Sequence, residues 1–157
     1  MADLQAQAKK VYATMVSALN AKDWHFREEK DRLTIVSSCS GDDIDMNFII
    51  EVDAEREVIT FLSRMPFKAP EDKRVDMAIA VCVANYGLVN GSFDFDINDG
   101  EIRFRLTTSY CGCEVGEPFF MDMMSTALNT TDRYNDRFMM LAKGLMTLEQ
   151  FIELRKK

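Results

Sequence analysis

Three groups of residues have the types and spacing to do chemistry. The acidic run Asp94-Phe95-Asp96-Ile97-Asn98-Asp99-Gly100 sets oxygen donors at alternate positions, as a calcium loop does. An EF-hand loop needs glycine at its sixth position and a bidentate glutamate at its twelfth. Those places hold Asp99 and Arg105, and the guanidinium puts a positive charge where the ion requires a carboxylate. The same residues read without conflict as a β-hairpin, because Asp99-Gly100 is a favoured centre for a two-residue type I′ turn. That turn sets Ile97 against Ile102, Phe95 against Phe104 and Phe93 against Leu106. On the other face it sets Asp96 opposite Arg103 and Asp94 opposite Arg105, so one register satisfies both faces.

The second group is the four cysteines, Cys39, Cys82, Cys111 and Cys113. Structural zinc sites pair their ligands with two to four residues between the members of a pair. Cys111 and Cys113 are closer than that, and Cys39 and Cys82 stand singly. Cys82 falls on an apolar helical stripe, where a free thiol is expected to pack as a small hydrophobe. His25 is the only histidine. Strand alternation turns it towards water while Trp24 and Phe26 point inward. No glycine-rich phosphate loop, nucleophile elbow or paired Glu/His metal motif is present. Neither catalytic residues, nor a cofactor, nor a metal-ligand set is therefore expected, and the chain does not read as an enzyme.

The third group is apolar. Phe120, Met124, Ala127, Tyr134, Phe138 and Leu141 share a narrow arc of a long C-terminal helical segment. Met121, Met139 and Leu128 lie on an adjoining face, and Phe119, Met123 and Met140 lie elsewhere around it. Such a wide surface serves either as core or as a contact for another protein, since flexible thioethers adapt to varied apolar shapes. Phe119, Met121, Met123, Leu128, Met139 and Met140 are the candidate partner-binding residues.

Elements that must position these groups are legible from periodicity. Leu4, Ala8, Val11, Tyr12, Met15 and Leu19 make one stripe of a helix over roughly residues 2–21. Strand patterns follow at 24–27, 33–36, 46–52 and 58–62, with short connections that imply an antiparallel meander. Pro66 and Pro70 are expected to close that sheet segment, and Pro70-Glu71-Asp72 suits a helix start. The run Met77-Ala78-Ile79-Ala80-Val81-Cys82-Val83-Ala84 has no hydrophilic side, which predicts a helix buried all round. Its main stripe is Val75, Ala78, Ile79, Cys82 and Tyr86, and Gly87 is placed for a left-handed cap. After the hairpin, Glu117-Pro118 opens the long helix, Asn129 to Asp132 is a possible interruption, and Gly144 closes it. Thr147 with Gln150 forms a capping box for a last helix, with Met146 and Phe151 as its hydrophobic staple.

A chain of 157 residues with no repeat and no linker suits one domain, residues 1–157. Its formal net charge of −7 and the lack of a dense basic run argue against nucleic acid and against anionic membranes. The first residues lack the basic start and apolar core of a signal peptide. The longest wholly apolar run is eight residues, far short of a membrane span. A cytoplasmic setting with reduced thiols follows as the expectation.

The segment from Pro66 to Arg105 resembles the YbjN family, most clearly in Asn85-Tyr86-Gly87, Gly91-Ser92-Phe93-Asp94-Phe95-Asp96 and Asp99-Gly100-Glu101-Ile102-Arg103-Phe104-Arg105. The resemblance extends over Val58 to Ile152, including Asp132, Tyr134, Gly144 and Thr147, whereas the first 55 residues match in layout alone. Members of that family are described as bacterial sensory transduction regulators, and the family is similar in fold to the type III secretion chaperones. The Cys111/Cys113 pair is not part of the family's pattern. What the resemblance implies is an α+β fold, mainly antiparallel, of order α-β-β-β-β-α-β-β-α-α. It also implies a non-enzymatic, chaperone-like or regulatory module. Such a module would pair as a homodimer and bind an apolar or extended segment of a partner through a sheet edge and the Met/Phe surface. The competing expectation is a small-molecule sensor or cryptic enzyme with a pocket between sheet and helices.

Overall fold

In the computed structural model, which describes residues 2–155, the chain runs α1 (Ala2–Asn20), β1 (Phe26–Glu29), β2 (Thr34–Cys39), β3 (Met46–Asp53) and β4 (Val58–Lys68). It continues through α2 (Arg74–Asn85), β5 (Ser92–Phe95), β6 (Glu101–Ser109), α3 (Glu117–Ala142) and α4 (Leu148–Arg155), with single 3-10 turns at Lys30–Arg32 and Glu71–Lys73. The six strands form one antiparallel sheet of order β1-β2-β3-β4-β6-β5. This is the expected α+β class and element order. Alternation is strict where it matters: Met46, Phe48, Ile50 and Val52 of β3 are buried. So are Ile59, Phe61, Ser63 and Met65 of β4, and Ile102, Phe104 and Leu106 of β6. α3 crosses β3, β4 and β6, α1 packs on α3 and β3, and α2 sits at the β5 end against α3 and α4.

The long helix is uninterrupted from Glu117 to Ala142, and all six residues of its predicted arc are buried. Thr130 and Thr131 fit mid-helix because their hydroxyls donate to the carbonyls of Thr126 and Ala127, at 2.7 and 2.8 Å. Gly144 takes φ +70 after the helix end, as a left-handed cap requires. The capping box closes on both sides: the Thr147 N–H donates to Gln150 Oε1 at 2.9 Å, and the Gln150 N–H donates to Thr147 Oγ1 at 3.2 Å. An aromatic cluster of Phe93, Phe104, Tyr134, Phe138 and Phe151 joins the β5/β6 end to α3 and α4, with neighbouring centroids 5.0 to 6.0 Å apart.

Four local expectations are corrected. The hairpin register is shifted by two residues: Phe95 pairs with Ile102, Asp94 with Arg103, Phe93 with Phe104 and Ser92 with Arg105. The loop is longer than a two-residue turn because its polar side chains bind its own backbone. Asp96 Oδ1 accepts the Asn98 N–H at 2.8 Å, and Asp99 Oδ1 accepts the Glu101 N–H at 2.9 Å. Gly100, at φ +80, packs so tightly that a Cβ there would lie 2.2 Å from the Ala69 carbonyl oxygen. A shift of two preserves the faces, so Asp94 still bonds both Arg103 and Arg105. Second, β4 does not stop at Pro66 but reaches Lys68, with its pairing to β6 irregular between Arg64 and Lys68. Proline is tolerated there because that stretch of ladder is already broken. Third, Gly87 is not left-handed; α2 ends on Tyr86 in right-handed geometry. The fourth concerns the outer side of α2.

Candidate functional site

α2 is not buried all round. Met77, Ala80, Val81 and Ala84 face inward, and the small alanines let the helix lie close to the sheet end. The stripe predicted to be the main core face points outward instead. Val75 is 66% exposed, Ile79 42% and Tyr86 83%, with Cys82 exposed between them. Periodicity identifies two apolar faces on this helix but not which of them the rest of the chain covers. The outer residues follow steps of four, three and four, the spacing of a helix–helix seam.

The α3–α4 junction carries a second apolar surface. A groove of about 470 Å3 is lined by Met140, Leu145, Met146 and Leu154, with Glu149, Gln150 and Glu153 beside them. Leu145 and Leu154 are exposed, whereas Met146 and Phe151, the two residues expected to form the staple, are both buried. The Glu149 carboxyl is held below the usual carboxylate range by its own backbone N–H and then by the Thr147 hydroxyl, so the groove is flanked by negative charge at neutral pH.

The structure divides the candidate partner-binding residues. Met123 (4% exposed) and Leu128 (9%) are core. Phe119 is exposed near the start of α3, and Met121 is half-buried close by. Met139 and Met140 are half-buried near the other end. At 1.5 Å per residue, Phe119 and Met140 are separated by about 30 Å along the helix, so the six do not form one patch. Only Met140 lines the groove. Leu145 and Leu154 escaped sequence reasoning, although an apolar residue directly after the capping glycine was a usable signal.

Both edges of the sheet are short strands of four residues. On β5, Asn85 of α2 occupies the outward backbone groups at the strand centre. Its Nδ2 donates to the Phe93 carbonyl at 2.9 Å, and its Oδ1 accepts the Phe93 N–H at 2.7 Å. β1 is charged, with Arg27 paired to Glu29 and Glu28 to Lys30. The uncovered sheet face carries half-buried Val36, Ile49 and Leu62 in register with Arg105. Partial burial alone would raise the Asp94 carboxyl, but the bonds and charges of Arg105 and Arg103 outweigh it and hold the group below its ordinary range.

The residues considered for chemistry are otherwise engaged or solvated. His25 is exposed. Asp99 pairs with Lys68, and its carboxyl is held low by that contact first and by the Glu101 N–H second. Among the described residues no group of three or more His, Cys, Asp or Glu side chains converges to hold a metal ion. Cys82, expected to be buried, is exposed on α2, and Cys39 is half-buried. No helix among the described residues is long and apolar enough to cross a membrane.

No protein-family model matches the chain, and no curated protein matches it. Solved structures do. YbjN from E. coli superposes with a TM-score of 0.62 at 12% identity, over 78% of this chain and 87% of that one. A chain of the HopA1–SchA chaperone–effector complex gives 0.55 at 10% identity, over 81% and 95%. A chain of the ExsC–ExsE complex gives 0.52 at 11% identity, over 81% and 92%. At these identities the likeness is one of fold: this chain has the architecture shared by YbjN and those two complexes.

Proposed function

We propose that this chain is a single, non-enzymatic protein-interaction module, chaperone-like or regulatory, that holds an apolar or extended segment of a partner protein. The observation that carries it is the apolar surface left exposed on helices whose other faces are fully spent on the core. The groove at the α3–α4 junction has aliphatic walls and acidic flanks. Its occupant is therefore an apolar segment bordered by Lys or Arg, which complements both the walls and the net charge of −7. The fold's presence in a chaperone–effector complex supports the same role.

The outer face of α2 takes a second copy of the chain. In a two-fold antiparallel crossing centred between Ile79 and Cys82, Val75 of one copy meets Tyr86 of the other, and Ile79 meets Cys82. Large then packs on small at each position, as an isologous contact requires.

Two measurements test these assignments separately. Labelled apolar peptides with flanking lysines should bind in fluorescence anisotropy, and Leu154→Glu should weaken them more than an acidic substitution at His25. Absence of binding up to about 1 mM, a free energy of only some −4 kcal/mol, would remove the groove from consideration. Light scattering should give a dimer that Ile79→Glu converts to a monomer; a wild-type monomer would remove the α2 pairing and leave the groove untouched.

A further inference from the structure

The Cys111-Gly112-Cys113 loop is not used by either surface. It joins β6 to α3 and is anchored on both sides, with both cysteines exposed between the anchors. Upstream, the Tyr110 side chain is fully buried, its hydroxyl donates to the Asp53 carbonyl at 3.0 Å, and its N–H donates to the Glu57 carbonyl at 2.9 Å. Downstream, Glu114 is paired with Lys10 of α1 at 2.6 Å. Between these anchors the Cys113 N–H donates to the Tyr110 carbonyl at 3.0 Å, closing a tight turn with Gly112 at φ +66. Both thiols are exposed, and a Cβ on Gly112 would meet nothing within 4 Å, so an incoming group has open access. A bent tripeptide brings its terminal Cα atoms to about 5.5 Å, inside the 4.4–6.8 Å range a disulfide needs.

We propose that this loop is a dithiol site for thiol–disulfide exchange, whose substrate is an accessible disulfide and whose oxidised form is an intraloop Cys111–Cys113 bond. The two sulfurs have distinct surroundings. The Cys111 thiol donates a hydrogen bond to the Glu57 carboxylate; that bond first, and then the charge of Glu57, push its pKa up and keep it protonated. Cys113 lines a small crevice with Lys10, Thr14 and Gln7 of α1, which gives an incoming disulfide a surface to seat against. Cys113 therefore attacks first. Its sulfur bonds to one sulfur of R–S–S–R, the R–S–S–R bond breaks, and one thiol RSH departs with the proton that Cys113 gave up. Cys111 then attacks the Cys113 sulfur of the mixed disulfide, its proton leaving with the second RSH. The loop dithiol is oxidised by two electrons, and the disulfide substrate is reduced to two thiols.

The probe is glutathione disulfide, applied to the reduced full-length chain. Trypsin releases both cysteines in one peptide, Leu106–Arg133. Mass spectrometry should find that peptide lighter by two hydrogens and free of glutathione, formed at least about tenfold faster than any adduct on Cys39 or Cys82. Cys111→Ser should trap a stable glutathione adduct on Cys113, while Cys113→Ser should slow the first step several-fold; circular dichroism checks that both variants fold. Two glutathione adducts on the wild-type peptide, reaction no faster than at Cys82, or no trapped adduct in Cys111→Ser would each overturn the assignment.

Discussion

Replacing Asn85 with alanine tests how the edge of this sheet is held. The Asn85 amide makes two bonds of 2.9 and 2.7 Å to the carbonyl and N–H of Phe93, and both groups are partly buried. A buried backbone group left without a partner costs about 1–3 kcal/mol; at an edge strand, where water can reach in part, the pair should cost about 2–3 kcal/mol in total. With a urea slope of about 2 kcal/mol per molar, the unfolding midpoint should fall by about 1–1.5 M. Asn85→Asp keeps an acceptor for the N–H but turns a carboxylate towards the carbonyl, so it should recover little of the loss. Amide hydrogen exchange supplies a local readout, because the Phe93 N–H should exchange much faster in Asn85→Ala while the Phe104 core strand remains protected. As a control, Asn90→Ala at an exposed loop position should stay within about 0.5 kcal/mol of wild type. A midpoint within about 0.3 M of wild type, with Phe93 exchange unchanged, would show that α2 does not secure β5 through this amide.

Two glycines with positive φ should respond differently to alanine. Gly100→Ala forces a Cβ to 2.2 Å from the Ala69 oxygen and should lower the melting temperature severely, whereas Gly112→Ala meets nothing within 4 Å and should cost only the left-handed penalty of about 1–2 kcal/mol. Burial first, and then the Glu28 hydrogen bond and charge, push the Tyr12 hydroxyl up to about 12. Its neutral form is favoured by folding, so stability is complete below about pH 10 and declines as pH rises towards about 12; a tyrosinate absorbance titration should lose its latest step in Tyr12→Phe. The Asp94 carboxyl is depressed, so the stability it contributes is present above about pH 4 and is lost as pH falls through its folded value. Urea midpoints measured from neutral to acid pH should therefore fall more steeply for wild type than for Asp94→Asn. Phe138, fully buried against Phe93, Tyr134 and Phe151, should cost about 3–5 kcal/mol when cut to alanine, measured by chemical denaturation.

Long-range consistency decided what could be read from residues alone. The arc from Phe120 to Leu141 and the Thr147/Gln150 box were legible because each depends on its own helix. The hairpin register was not, because Asp99-Gly100 signals a tight turn locally while the Lys68 and Ala69 contacts come from a distant strand end. The orientation of α2 was hidden for a related reason. Val75, Ile79 and Cys82 are as apolar as Met77, Val81 and Ala84, and only the placement of β5, α3 and α4 selects which set is covered. Met140 was legible as surplus apolar surface, but the groove that uses it needs Leu145 and Leu154, brought together by the turn between two helices.

The seam between β4 and β6 has a consequence for how the polypeptide is made. Every other neighbouring pair in the sheet is consecutive in the chain, whereas Val58 must find Ser109 and Lys68 must find Glu101 across α2 and β5. A nascent chain that has just emerged through Lys68 therefore presents the Val58–Leu62 segment as an open, oily ribbon. About 40 more residues must be synthesised before its natural cover exists, which at 5–20 residues per second is roughly two to eight seconds. For that interval the ribosome-bound protein is itself a client for whatever shields bare strands in the cell.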